Sequence, residues 1–276
     1  MNDKDNDAPS SYTVSTITCN ATINTSVNLK TFYNYIKISE CESDVNSFIW
    51  VEIMDKTNTK NERMTRGIYP KKKKNMEKSK QSFDNQVSMY YKFNEKYCPN
   101  IKLFKNGNIQ MTGIKKVEDG HKVINVIANE IIRINNFSED SKIVEEVDKV
   151  VASDFIIRMI NSDFGVPFKI RRKNLHQLLI SSKYNNACSF QPLTYPGVKL
   201  QYFWNVNNKL MDGICHCPVQ CYGKGNGFCK KVTVSVFDSG KILITGANDF
   251  TQVDDAYTFI CKVIAENKEE IKKTII

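Results

Sequence analysis

The sequence predicts an α+β fold made of two tandem copies of one unit, each a run of antiparallel strands followed by a long amphipathic helix. Three observations carry this. FKNGNIQMTG at 104–113 returns as FDSGKILITG at 237–246, so that Phe104, Gly107, Ile109, Thr112 and Gly113 are matched by Phe237, Gly240, Ile242, Thr245 and Gly246 at one constant spacing. Residues around both segments alternate between apolar and polar, the period of a half-buried strand. Behind each segment the apolar residues change to helical spacing: Val123, Ile124, Ile127, Ala128 and Ile131 in one copy, Val253, Ala256, Ile260 and Ile264 in the other.

The elements follow in order. Residues 1–11 are acidic and polar and are expected to form a disordered tail. The first copy, 12–136, opens with TVSTITCNATI (13–23), a strand, and a short helical stretch over 27–38. It is interrupted by the insertion 55–80, where ten Lys or Arg face three acidic residues, Lys71, Lys72, Lys73 and Lys74 among them. Lacking apolar periodicity, that insertion reads as a flexible loop. The acidic stretch from 137 onward either extends the helix or links the copies, and 137–152 is assigned as the linker. The second copy, 153–276, opens with the strand DFIIRMINSDF (154–164) and a helical stretch over 168–182, and carries a Cys-rich insertion at 204–228. Asn106-Gly107 and Ser239-Gly240 signal two-residue hairpins, since glycine supplies the positive φ such turns need.

Alternation sorts the strand residues onto two faces. Val232, Val234, Val236, Ile242 and Ile244 share one face in the second copy, and Ile101, Leu103, Ile109 and Met111 share it in the first. That face must pack under the helices. The other carries Thr233, Ser235, Phe237, Lys241, Leu243 and Thr245, against Lys102, Phe104, Asn108, Gln110 and Thr112. One large aromatic stands on the polar face at the same place in both copies. Either a loop folds over it or it meets a partner.

The 276 residues carry a formal net charge of +9, which favours an anionic partner, nucleic acid ahead of a membrane surface. The sequence has no apolar run long enough to span a bilayer and no apolar leader after its first residues, so an intracellular protein without a membrane partner is expected. The nine Cys are then expected as reduced thiols. His121, His176 and His216 are dispersed, and no catalytic triad, phosphate loop or dinucleotide fingerprint is present, so no enzyme is expected.

The twofold repetition, the F-x-x-G-x-I-x-x-T-G closing each hairpin, the amphipathic helix behind it and the Leu29-Lys30-Thr31 after the first strand resemble the TATA-box-binding protein family. FQPLTYPGVKLQYF (190–203) is similar to that family's E-x-F-P-G-L-x-Y stretch. The divergence and the Asn-, Ile- and Lys-heavy composition resemble the family's representatives in large cytoplasmic DNA viruses. That family is itself the standing example of minor-groove wedging. The resemblance implies two pseudo-symmetric repeats forming one curved antiparallel saddle, helices on its convex back and DNA under its concave face.

It also implies roles for residues. Phe104 and Phe237 fall on wedge positions, Tyr195 on the second wedge of repeat two, and Phe83 or Gln86 on its partner in repeat one. Thr112 and Thr245 are kept. The family's paired Asn fall on Thr16 and Met159, with Asn161 two residues on along the same face. Thr18, Lys102, Gln110, Leu243 and Ser235 complete the groove face, more polar than is usual for the family. The implied partners are double-stranded DNA, through its minor groove, and general transcription factors or RNA polymerase. The implied location is the nucleus, a viral factory or the virion.

Two features stand beside this. Cys215, Cys217, Cys221 and Cys229 lie within fifteen residues and offer four thiolates, or three with His216, to a structural zinc. The C-x-C-x3-C spacing departs from the usual paired knuckles, so unligated thiols remain the other reading, and no cofactor is required. By the resemblance this insertion sits in the loop joining the second and third strands of repeat two, the stirrup region, where a bridging factor would dock and a zinc-stiffened loop would serve as a partner-binding device. The Lys71–Lys74 run reads as a phosphate or acidic-partner contact, an import address or a solvated loop. Two functions follow: a transcription initiation factor that binds and bends A·T-rich DNA, or a scaffold of the same fold binding nucleic acid without sequence preference, or protein.

Overall fold

The computed structural model describes residues 7–55, 62–70, 85–137, 142–207, 210–219, 221–224 and 227–273. Lys71 to Lys74 and Phe83 lie outside them. The chain divides into two compact units, an N-terminal one, 17–157, and a C-terminal one that joins 158–276 to the first sixteen residues.

The N-terminal unit contains β1 (Thr13–Thr22, from residue 17), α1 (Leu29–Tyr35), β2 (Ser47–Asp55), β3 (Glu62–Gly67), β4 (Gln86–Lys92), β5 (Asn100–Phe104), β6 (Asn108–Ile114) and α2 (Val117–Asn135). Its strands are ordered β3-β2-β4-β5-β6-β1, all antiparallel. The C-terminal unit contains β7 (Ser153–Gly165, from residue 158), α3 (Arg172–Ile180), β8 (Ala187–Ser189), β9 (Val198–Trp204), β10 (Lys230–Val236), β11 (Lys241–Ala247), α4 (Phe250–Glu266) and the short α5 (Lys268–Ile271). Here the order is β7-β11-β10-β9-β8, again antiparallel. Neither sheet closes into a barrel. Among the described residues no helix is long and apolar enough to cross a membrane.

The faces fall as alternation requires. Val232, Val234, Val236, Ile242 and Ile244 are fully buried under α4, which turns Val253, Ala256, Ile260 and Val263 toward them. Ile101, Leu103, Ile109 and Met111 are equally buried, and α2 contributes Val123, Ile127 and Ile131. Each such side chain contributes about 1.5–3 kcal/mol of transfer free energy. Caps fix two helix starts: Asn28 accepts from the Thr31 N–H at 3.1 Å, and Asp249 from the Thr251 N–H at 2.8 Å.

Both hairpins are one residue longer than the two-residue turns expected. In the second, the Phe237 N–H donates to the Lys241 carbonyl at 2.9 Å, leaving a three-residue loop that ends at Gly240. Gly107 and Gly240 have φ of +82° and +86°, the left-handed residue such a loop needs. A Cβ at Gly107 would collide with the Thr25 carbonyl.

Two further expectations are corrected and one open alternative is narrowed. The basic insertion is not a loop throughout: Glu62–Gly67 is the edge strand β3, paired along β2. Its charges are engaged, since Arg63 pairs with Glu52, and Arg66 donates to the carbonyls of Tyr33, Asn34 and Ile36 at the open end of α1. The stretch after α2 does not extend the helix, which ends at Asn135; residues 142–152 hold only a 3-10 turn, Val147–Lys149. Residues 7–11 are not free either. The Ser10 N–H donates to the Gly165 carbonyl at 2.9 Å, and Asp7 pairs with Lys268 at 2.5 Å and Lys272 at 2.8 Å.

Candidate nucleic-acid interface

The polar face of each sheet is laid out by strand register, because residues directly opposite in an antiparallel pair share a face. In the N-terminal unit one row runs Ser88, Lys102, Gln110, Asn20 across four strands, and the next runs Tyr90, Asn100, Thr112, Thr18. Phe104 ends β5 opposite Gln86. The structure thus brings Phe104, Lys102, Gln110, Thr112 and Thr18 together on one surface. Gln86 is buried, and its amide donates to the Ser88 hydroxyl at 3.3 Å. Gln86 holds in this unit the register position that Gly197 holds beside Phe237 in the other, and not that of Tyr195; Phe83, the alternative, lies outside the described residues.

In the C-terminal unit one row runs Lys199, Ser235, Leu243, Asp163, and the next Gln201, Thr233, Thr245. Asn161 and Met159 continue the Asp163 side of β7 at two-residue steps; Met159 is exposed, and the Asn161 Oδ1 is buried without a partner. Thr16 lies on β1 within the residues that cluster with this unit, its hydroxyl also buried without a partner.

Two of the aromatic residues singled out in the sequence meet here. The Tyr195 and Phe237 rings stand 5.8 Å apart, tilted by 57°, with the Lys199 ammonium 3.9 Å from the Tyr195 ring centroid. Both rings lie over Gly197, where a Cβ would come within 2.8 Å of the Tyr195 ring and 3.2 Å of the Phe237 ring. The loop bearing Tyr195 is held by Arg172, which donates to the Pro196 carbonyl, lies 5.3 Å from the Phe190 ring and pairs with Asp238 at 3.7 Å. At its tip Leu193 is wholly exposed.

Register reveals what the linear sequence concealed. Asn20, Ser88, Lys199 and Gln201 belong to these faces, and so does a carboxylate, Asp163. Ser15 donates to it at 2.5 Å and Lys241 pairs with it at 3.2 Å. The Ser15 hydroxyl holds the Asp163 carboxyl below the usual range, against the opposing effect of burial and with the help of Lys241. In the N-terminal unit Trp50, Tyr69 and Tyr90 pack ring to ring at 5.1, 5.5 and 5.6 Å, with Trp50 in register with Tyr90. Alternation was the available signal for the polar residues; the aromatic cluster depends on the unanticipated β3.

The cysteine-rich segment is elsewhere. It joins β9 to β10 at the Trp204–Lys230 end, whereas the Tyr195 loop joins β8 to β9 at the opposite end of the same strands. Since β9 is seven residues long, about 20 Å of strand separates the two. The expectation that this insertion joins the second and third strands of the repeat is therefore overturned: the short β8, which carries no alternation of its own, shifts the strand count by one, and the segment joins the third to the fourth.

Within that segment the four sulfurs converge. The Sγ atoms of Cys215, Cys217, Cys221 and Cys229 all lie within 4.8 Å of one another. His216 is turned to Asp212, 2.8 Å away, and is not the fourth member. Burial raises the Cys221 thiol's pKa, but the N–H groups of Gly223 and Cys229 and the neighbouring thiols outweigh it and bring the value down to about 6.

Comparison with known proteins agrees with the geometry. Residues 154–267 match the family model described as transcription factor TFIID, or TATA-binding protein. The chain is 33% identical over 208 residues to a TATA-box-binding protein-like protein of Acanthamoeba polyphaga mimivirus, an alignment covering 70% of this chain and 51% of the relative. The chain thus spans about half the length of that relative. The solved structure of Methanococcus jannaschii TBP is similar with a TM-score of 0.50 and 14% identity, over 93% of this chain and 99% of that one, which shows a shared fold.

Proposed function

We propose that this chain, a divergent TATA-box-binding-protein-like protein, is a DNA-binding transcription initiation factor that grips and bends A·T-rich promoter DNA through the minor groove and recruits polymerase-bridging factors. The observation that supports this most is the equivalent placement of Phe104 and Phe237. Each stands half-buried at the hairpin end of a polar sheet face, and Phe237 shares the support of Gly197 with Tyr195. Aromatic rings so placed can enter a base step and unstack it, most easily at flexible pyrimidine–purine steps.

The rest of each face suits what a minor groove offers. A·T pairs present acceptors there and little else, so Thr112, Thr245 and the amides of Gln110, Asn161 and Asn20 can donate to them. Lys102 and Lys199 flank the wedges on the two faces and can reach phosphate. The Lys71–Lys74 run, whose place in the chain is between β3 and β4, adds affinity that depends on salt and not on sequence. The exposed Leu193, at the tip of the loop that presents Tyr195, offers an apolar anchor to a bridging factor.

The second reading, a scaffold for nucleic acid without sequence preference or for protein, is favoured by one observation. Asp163 sits on the same face as Leu243 and Ser235, and a carboxylate there opposes a polyanion unless Lys241 neutralises it. Selection of bound duplexes from a random pool separates the two. Enrichment of A·T-rich sites supports the initiation factor, whereas an unenriched pool whose binding fades as salt rises leaves the scaffold.

A further inference from the structure

We propose that Cys215, Cys217, Cys221 and Cys229 bind one zinc ion, and that this ion is what fastens the segment 205–229 onto the end of the β9–β10 hairpin. The first argument is geometric. A tetrahedral zinc with Zn–S bonds of about 2.3 Å has a sulfur–sulfur edge of about 3.8 Å. The Cys215–Cys221, Cys217–Cys221 and Cys217–Cys229 sulfur pairs each stand at 3.6 Å, which is close to that edge and too long for a disulfide. A cluster of several irons would hold its outer thiolates farther apart than one ion does, so a single ion fits.

The second argument is that the described residues of the segment bury no large apolar side chain, its ties to the hairpin being polar ones such as the Phe203 N–H to the Gly213 carbonyl at 3.0 Å and the Lys231 N–H to the Gly223 carbonyl at 3.2 Å. Among its described residues the buried ones are Gly213, Cys221, Gly223 and Cys229. Of its described large apolar residues, Val206, Leu210, Met211, Val219, Tyr222 and Phe228 are exposed and Ile214 is half-buried. A stretch of this length without a core needs a staple, and four converging sulfurs are the staple at hand.

The surroundings are those of ligated thiolates. Gly223, in the left-handed region at φ +65°, directs its N–H to the Cys221 sulfur, two residues back. The Asn205 amide donates to the Cys229 sulfur at 3.8 Å. Such donors orient ligands and spread their charge. A Cβ at Gly227 would collide with the Cys221 side chain, so the chain closes tightly over the sulfurs. On binding, whatever protons the four thiols still hold pass to solvent and a site of charge −2 remains. Lys224, Lys230 and Lys231, all beside the site in sequence, offset it.

The test uses the full chain, untagged and purified under thiol reductant. Metal analysis is expected to find about one zinc per chain. A mercurial that caps thiols should release it in step with the modification of four cysteines. Exchange into cobalt should give the visible bands of a tetrahedral tetrathiolate. Cys215→Ser and Cys229→Ser are expected to lose the metal, while Cys41→Ser, at an exposed thiol outside the segment, keeps it. Removal of zinc should expose 205–229 to protease while the β5–β6 hairpin stays protected. Substoichiometric metal with all four thiols freely reactive in the native wild-type chain would overturn the proposal, and so would iron in place of zinc.

Discussion

Replacing Phe237 by Ala separates the wedge from the fold that carries it. The backbone bonds of this corner, Phe237 N–H to Lys241 and Gly240 N–H to the Phe237 carbonyl at 3.1 Å, do not involve the ring and survive. What disappears from the free protein is the packing of the ring on Tyr195, about 0.5–1.5 kcal/mol for an aromatic pair, together with part of the ring's burial. A loss near 1–2 kcal/mol lowers the melting temperature by about 2–8 °C in a chain of this size. The DNA complex loses more. Base–aromatic stacking is worth about 1–3 kcal/mol, which converts to an affinity about 5- to 140-fold weaker. The assay is titration of a selected A·T-rich duplex with wild-type and variant protein, the melt being followed in parallel. Phe237→Tyr keeps the ring and should keep most of the affinity. An unchanged affinity for Phe237→Ala, with the fold intact, refutes the wedge assignment.

Three further outcomes are expected. Gly197→Ala should displace the Tyr195 and Phe237 rings, since its Cβ falls 2.8 and 3.2 Å from them, and should weaken binding with little effect on the melt; equal binding would mean that the rings tolerate displacement. Asp163→Asn should tighten DNA binding by removing a carboxylate from the face. It should also flatten the acid limb of stability: a folded pKa depressed by Ser15 and Lys241 adds stability that is complete above about pH 4 and is lost as pH falls through the lower folded value, so a variant whose melt still falls with wild-type steepness below pH 4 counts against this. Replacing Lys71 to Lys74 together by Ala should reduce the slope of log K against log salt by about 0.9 for each phosphate no longer neutralised, with sequence preference unchanged. An unaltered slope would return that run to bare solvent.

Much of this architecture was legible because its signals are local. Alternation within five- to seven-residue strands assigned the buried and polar faces, and glycines at 107 and 240 marked the turns that set hairpin register. What escaped was decided by tertiary contacts. β3 has a polar, basic sequence that no strand propensity favours; it forms because β2 offers an open edge and because Arg66 finds three carbonyls at the end of α1. The misplacement of the cysteine segment has a similar origin. Three residues, Ala187–Ser189, are too few to show a period, yet they form a strand and shift the order of every connection after them. Asp163 was hidden for a third reason: its place on the face is set by pairing with Leu243, and the Ser15 hydrogen bond and Lys241 ion pair that stabilise its charge come from two separate stretches of chain.

The central claim is that two equivalent aromatics on polar sheet faces bend DNA. Its most direct test is energy transfer between dyes at the two ends of a selected A·T-rich duplex, with wild-type protein and with the double variant Phe104→Ala and Phe237→Ala. High transfer on binding of the wild type, lost in a double variant that still folds, is the predicted result. Binding by the wild type with no change in transfer, or a double variant that bends DNA equally well, would contradict it.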